Sequence, residues 1–345
     1  MDYVYLALAV VCVGFQFVTT KLFRMKAGMS ILSSIIFNVG AGAVSALLLL
    51  AINKFTVHVS PFSMLMGVLF AVSMVTINCV CLFAMSAGKV SVYSLFMMLG
   101  GMLLPFGYGA IFLNEKVSVY KWIALVLMIG AMVLPCFSDR KQKNSKRFYV
   151  FCALGFLLNG ALSIISKHHQ ANPEIGSPTG DFAVWAYFSV FYISAAILPV
   201  YFAVTAIVRK IKSNKSAGEN TAASEQANAE AAATEITSDS EVAEKVADPN
   251  GTGNGTIEKA HESAKKKIGF AALYMSLYGV ISATNNFLQL LCARTLPAVL
   301  QYTVVTGASI ILSALFGLLF FKEKIDKFNI ISISLAFIAT VLFLF

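Results

Sequence analysis

The stretch Gly109-Ala110-Ile111-Phe112-Leu113-Asn114-Glu115-Lys116 closes one long apolar run, and Gly317-Leu318-Leu319-Phe320-Phe321-Lys322-Glu323-Lys324 closes another. The second stretch lies 208 positions after the first, and the same offset carries Asn78 to Asn286, Leu127 to Leu335 and Ala131 to Ala339. Nearer the N-terminus the matching offset is 146. It carries Tyr3, Val4, Ala7, Leu8, Gly14 and Lys21 to Tyr149, Val150, Ala153, Leu154, Gly160 and Lys167. The two offsets differ by 62 positions, and a polar stretch of similar length interrupts the second copy. Each copy holds five apolar runs long enough to cross a bilayer. An odd number of crossings starts the second copy on the opposite face, so the repeat is inverted.

The chain has 345 residues, of which 58% are hydrophobic and 12% charged. A soluble domain carries about 25% charged residues, so this surface needs a lipid environment. Apolar runs of about 20 residues, rising ~1.5 Å each, match a hydrocarbon core of about 30 Å. They predict an all-α polytopic membrane protein with ten transmembrane helices, at Tyr3–Phe23, Ile31–Ile52, Phe62–Met85, Val90–Leu113, Tyr120–Phe137, Phe148–Lys167, Phe182–Val208, Ile268–Cys292, Ala298–Phe321 and Phe328–Phe345. The two five-helix repeats are then residues 1–137 and 148–345, joined by a basic connection at 138–147, with a polar loop at 209–267 inside the second.

A net charge of +9 invites a nucleic-acid partner, but the basic residues sit at helix ends, where membrane orientation explains them. Alternate connections, beginning with that between helices 1 and 2, hold 21 of the 26 Lys and Arg; Lys54, Lys116, Lys121, Lys167 and Arg294 make up the rest. The crowded side is expected to be cytoplasmic and both termini outside, in the cell membrane. Helix 1 carries Asp2, lacks a basic leader and matches helix 6, so it reads as a span and not a cleaved signal. The stretch Ser213–Ala264 is rich in Ala, Glu, Ser, Thr and Asn, and disorder is its expected state, with a transient Ala-rich helix open to parts such as Glu225–Glu235. All six cysteines fall in apolar helices and read as small hydrophobes, with no metal pair among them.

The stretch Ala84–Leu134, ending its glycine- and proline-bearing helix in Phe112-Leu113-Asn114-Glu115-Lys116, resembles the EamA repeat, and Leu291–Phe343 with Phe320-Phe321-Lys322-Glu323-Lys324 looks like a second copy. The resemblance implies the drug/metabolite transporter superfamily and alternating access to a small organic solute. The chain length, the basic connection after helix 1 and the long loop between helices 7 and 8 also resemble the rhamnose–proton symporter branch, which implies a sugar–proton symporter as the alternative. A membrane receptor or lipid scramblase is the alternative of a different class. Its partners on this reading are a small-molecule substrate and membrane lipids, with no nucleic acid and no cofactor, and the protein is a monomer or homodimer.

Glu115 and Glu323 each follow a long apolar run, and are expected at the interface in a repeated structural role such as tying a turn. No Asp or Glu falls mid-helix, where a carboxylate costs several kcal/mol and is kept to bind a cation or proton. A neutral, zwitterionic or anionic cargo is favoured. The apolar helices carry amides instead: Gln16, Asn78, Asn159, Asn285, Asn286 and Gln289, with Gln301 and Tyr302 at the start of helix 9. Asn78, Asn286, Gln16, Asn159, Gln289 and Tyr302 are the candidate substrate contacts; interhelical hydrogen bonding is the competing reading for each amide. Lys21 and Lys167 are expected to snorkel to headgroups, and His168 and His169 to face solvent. Pro105 with Gly100 and Gly101 marks helix 4 as a hinge or gating element, although close helix packing also explains the glycines. No nucleotide-binding glycine loop, metal-ligand spacing or nucleophilic triad is present, so neither an enzyme nor an ATP-driven pump is expected.

The charge bias makes a testable statement about topology. A reporter active only in the cytoplasm, fused after Phe345, is expected to be silent; clear activity there would reverse the orientation while leaving the repeat intact.

Overall fold

The computed structural model describes residues 2–27, 30–87, 90–138, 146–231, 254–321 and 327–345. Among these there are ten α-helices and no β-strand: α1 (Asp2–Ala27), α2 (Ile31–Ile52), α3 (Pro61–Ala87), α4 (Val90–Phe112), α5 (Val119–Ser138), α6 (Lys146–Ala171), α7 (Thr179–Ala231), α8 (Asn254–Thr295), α9 (Ala298–Phe321) and α10 (Lys327–Leu342). Six are long and apolar enough to cross a membrane: Asp2–Phe23, Ile31–Ile52, Pro61–Cys81, Val92–Phe112, Lys146–Ala171 and Thr179–Val208. Shorter apolar helices run over Val119–Leu134, Ala298–Leu312 and Ile330–Leu342. A membrane-embedded protein is what these lengths fit.

Local chemistry sets the helix ends. Ser30 takes an extended conformation and its Oγ accepts from the Ser33 N–H at 3.0 Å, capping α2. Ser60 does the same for Ser63 at 3.2 Å, and Pro61 occupies the first position of α3, where a missing N–H costs nothing. Pro297 stands between α8 and α9 and cannot continue a helix, so the chain turns there. Asn114 adopts φ 50 after α4, a left-handed conformation that Asn tolerates, and swings Glu115 back beneath the helix end.

The chain divides into two units, Met1–Ala195 with Lys267–Phe345, and Ala196–Lys266. In the first, α4 packs on α6 and α9, α3 on α6, α1 on α9, and α10 on α5 and α9. Among the described residues, three apolar clusters hold these contacts. Leu6, Met102, Phe106, Met128, Val299 and Phe343 join α1, α4, α5 and α9 to the C-terminal end of the chain. Ala46, Leu49, Phe182, Tyr187, Ala283 and Leu290 join α2, α7 and α8. Val80, Tyr93, Phe148 and Cys152 join α3, α4 and α6. Large apolar residues such as Leu8, Leu47, Leu65, Val126, Leu157 and Phe337 face outward. That distribution suits lipid, which rewards no apolar burial and leaves small-residue packing to hold helices together.

Glycines make the closest of these approaches. A Cβ at Gly100 would collide with the Phe156 carbonyl, and one at Gly160 with Leu104, so α4 and α6 meet backbone to backbone. Gly14 of α1 receives Leu312 of α9, with Leu312 Cδ1 3.2 Å from where a Cβ would stand.

The second unit holds the distal part of α7 and the first part of α8. Helix continues to Ala231 and resumes at Asn254, so α7 and α8 extend into the flanks of the 209–267 insert. Alanine and glutamate, which dominate the 217–231 stretch, are strong helix formers, and a helix already nucleated in α7 extends through them at little cost. The expectations for 232–253 and for Glu323 lie outside the described residues. His168 and His169 are not beyond a helix: α6 continues to Ala171.

Gly100→Ala is expected to lower the thermal stability of the detergent-solubilised protein by ~1–3 kcal/mol, the usual cost of forced overpacking. Gly107→Ala, whose Cβ would meet nothing within 4 Å, should be neutral or stabilising by up to ~1 kcal/mol, since alanine is the better helix former.

Candidate functional site

The α8–α9 turn exposes Arg294, Thr295 and Pro297 but is buried on its inner side, where Ala293, Leu296, Ala298 and Val299 are shielded. Burial removes water from the free carbonyls at the end of α8 and the free N–H groups at the start of α9, so both sets need protein partners. Two charged side chains supply them. Glu115, from the α4–α5 connection, accepts from the Ala298 N–H at 2.7 Å and the Val299 N–H at 2.9 Å. Lys167, on α6, donates to the Ala293 carbonyl at 3.0 Å and the Leu296 carbonyl at 2.6 Å. Its Nζ stands 3.7 Å from Glu115 Oε1, and both side chains are about one-tenth exposed. The carboxylate faces the positive end of the α9 dipole and the ammonium the negative end of α8, so each charge is favoured by its helix as well as by its partner. Gly109 makes room: a Cβ there would come within 2.5 Å of Glu115 Oε2.

Other connections meet beside this turn. The Ser60 N–H donates to Ser177 Oγ at 2.7 Å, and the Ser177 N–H donates to Ser63 Oγ at 2.7 Å. Asn53 donates to the Asp181 carboxylate. His169 is buried between Phe62 and Phe182, with Nε2 2.7 Å from Ser63 Oγ, while His168 Nδ1 is 2.7 Å from Tyr108 Oη. The α2–α3, α4–α5, α6–α7 and α8–α9 connections are thereby knitted by polar contacts. Neither the snorkelling expected of Lys167 nor the solvent exposure expected of His169 occurs. In each case a buried partner (helix-end carbonyls, a serine hydroxyl) outweighs exposure to water or headgroups.

Beneath this layer lies a cavity in two overlapping parts, of about 180 Å³ and about 430 Å³. Gln16, Asn159, Gln289 and Tyr302 line both parts. Asn286 lines the smaller part and Asn78 the larger. All six amide and tyrosine candidates thus converge on one space, drawn from α1, α3, α6, α8 and α9. Sequence reasoning passed over Tyr187, Tyr278, Ser163, Ser166 and Ser282, which also line it. Single tyrosines and serines in apolar helices carry no pattern that distinguishes a cavity wall from a packing contact. Among the described residues, no Asp, Glu, Lys, Arg or His lines either part. The larger part reaches Thr20, Cys81 and Ser94, toward the C-terminal ends of α1 and α3 and the N-terminal end of α4.

The amides differ in what they have left to offer. Asn285 donates to Gln16 Oε1 at 3.4 Å, Gln289 donates to Asn285 Oδ1 at 3.0 Å, and Gln301 donates to the Gln289 carbonyl at 2.7 Å. Asn159 donates to the Met97 carbonyl at 2.8 Å and Tyr302 to the Ser163 carbonyl at 2.9 Å. Asn78 donates at 2.8 Å to Asn38, a buried amide on α2 that the sequence did not single out. The Asn286 side chain has no protein hydrogen bond among the described residues, so its amide retains both donor and acceptor capacity toward the cavity.

Of the hinge candidates, Gly100 is filled by the α6 backbone, and a Cβ at Gly101 would strike the Asn159 amide; Pro105 is buried within an unbroken α4. Glu323, the partner of Glu115 by sequence offset, lies outside the described residues. Three or more His, Cys, Asp or Glu grouped to hold a metal ion do not occur among the described residues.

No protein-family model matches the chain, and no curated protein does. Among solved structures, a crystal structure described only as that of a protein is similar over 98% of this chain and 97% of its own, with a TM-score of 0.61 at 13% identity. At that identity the likeness shows the fold alone.

The Asn38–Asn78 bond generates a stability prediction. A double-mutant cycle with Asn38→Ala and Asn78→Ala in detergent is expected to return a coupling of ~0.6–1.7 kcal/mol, the range for interhelical side-chain bonds in membranes. A coupling of zero would show that the two amides act independently.

Proposed function

We propose that this protein is a secondary transporter of the EamA type within the drug/metabolite superfamily, moving a small uncharged polar solute by alternating access between two inverted five-helix repeats. The observation that carries the reading is the cavity itself: amides, hydroxyls and tyrosines in a membrane-embedded helix bundle, with no charged side chain on its wall among the described residues. A charged cargo would lie there without a counter-charge, which low-dielectric surroundings penalise by several kcal/mol. A neutral solute with mixed donors and acceptors meets complementary groups instead.

Contacts related by the sequence offsets support the repeat. The offset of 146 carries Gly14 to Gly160, and the offset of 208 carries Leu104 to Leu312. Gly14 packs on Phe316 and Leu312, and Gly160 on Leu104, so one glycine–leucine contact of α1–α9 has its offset counterpart in α6–α4, which supports the repeat. The charge bias supports both termini outside and a cell-membrane location.

Within the cavity Asn286 is the anchor for cargo, since its amide is uncommitted, whereas Asn78 is occupied by Asn38. Asn286→Ala is expected to raise the apparent KM of uptake into proteoliposomes about tenfold, as loss of ~1.4 kcal/mol of hydrogen bonding would. The folded yield should be unchanged, and charged analogues should be excluded by wild type and variant alike. Uptake that ignores Asn286→Ala for every transported solute would remove this residue from the site. A response to an imposed pH gradient would favour the sugar–proton symporter reading, and failure to transport any solute would favour a receptor or scramblase.

A further inference from the structure

We infer that Glu115 and Lys167 form a releasable latch that shuts one mouth of the cavity, and that their separation admits or discharges the solute on that side. The inference rests on the transporter reading. Its geometry is direct. Ser163 and Ser166 line the cavity, and Ser163 lies one helical turn before Lys167; Tyr302, which also lines it, lies one turn after Ala298. The Tyr302–Ser163 bond is therefore the layer beneath the two charges. While Glu115 grips the first turn of α9 and Lys167 the last carbonyls of α8, Tyr302 is held against α6 and roofs the space.

Charge is the informative choice at this point. Neutral amide side chains could hold the same backbone groups permanently without costing two ions their hydration. An ion pair has a second property: its attraction is strong while the site is dry and falls steeply once water enters. Latched-and-dry and open-and-hydrated are then two discrete states with little between them, as a gate requires. The gripped atoms are backbone groups at helix ends, so release leaves the helices themselves whole. Glu115 is carried on a connection that turns through the left-handed Asn114, its N–H tied to the Gly109 carbonyl of α4 at 3.0 Å, so release needs only its side chain to swing.

The test places a cysteine at Ser166 in the full chain and follows its modification by a membrane-impermeant thiol reagent, counted as the increment over the chain without it. Pro173→Cys, exposed in the α6–α7 connection on the same face, identifies the side from which the reagent must be added. Glu115→Gln and Lys167→Met are each expected to speed labelling of residue 166 about ten- to a hundredfold, as removing a buried pair that acts in only one of two states should. The reversed pair, Glu115→Lys with Lys167→Glu, is expected to stay fast, because each charge then opposes its helix dipole. Unchanged labelling in both single variants would overturn the latch, as would slow labelling restored by the reversal. Loss of folded, monodisperse protein in both single variants would make the pair a fixed staple and also overturn it. Accelerated labelling in a protein that transports none of the panel solutes would support the latch while removing the transporter reading.

Discussion

A turn between two helices whose inner side is buried in a membrane protein leaves the backbone carbonyls and N–H groups on that side with neither helical partners nor water, and that constraint organises this molecule. The α8–α9 turn meets it with one carboxylate, borrowed from the α4–α5 connection, and one ammonium, borrowed from α6. Much else follows from accommodating them. Gly109 lacks a side chain because Glu115 Oε2 needs its place, Asn114 turns left-handed to aim the carboxylate, and Pro297 stops α8 where the lysine can reach its last carbonyls. Removing either charge alone would strand the other away from water, which costs ~3–5 kcal/mol for a buried pair.

The helices were legible in the sequence because lipid imposes long apolar runs, and all ten expected segments lie within or within a few residues of observed helices. The bounds of α2 and α9 coincide with expectation, while α7 and α8 extend into the insert where alanine-rich sequence permits. Convergence of the amides was legible as well, since a polar group in an apolar helix must face either a partner or a cavity. Which of the two it faces was not. Asn78 and Asn286 are equivalent by offset, yet one is paired through Asn38 and the other is uncommitted. That difference depends on a third helix, whose neighbour is fixed by packing and not by spacing along the chain. Lys167 misled for a related reason: a lysine at a helix end is ordinarily solvated by headgroups, and only the three-dimensional approach of the α8 terminus supplies better acceptors.

Charge and neutrality divide the structure by task. Charged groups tie the connections on one face, at Glu115, Lys167 and Asp181, while the cavity wall beneath is made of amides, hydroxyls and rings. On the proposed reading the strong interactions govern access and the weak ones govern cargo. A neutral wall suits that division, because hydrogen bonds worth ~1 kcal/mol each bind a solute without trapping it.

On the proposed reading the two faces of the bundle open in alternation. Distances between spin labels in lipid nanodiscs test it most directly, with one pair at Lys116 and Arg294, exposed on either side of the latch, and another at the exposed Met25 and Lys327. Alternating opening predicts two populations for each pair, with any solute that is transported shifting the pairs in opposite directions. A single unchanging distance between Lys116 and Arg294 under every solute, or both pairs widening together, would contradict it.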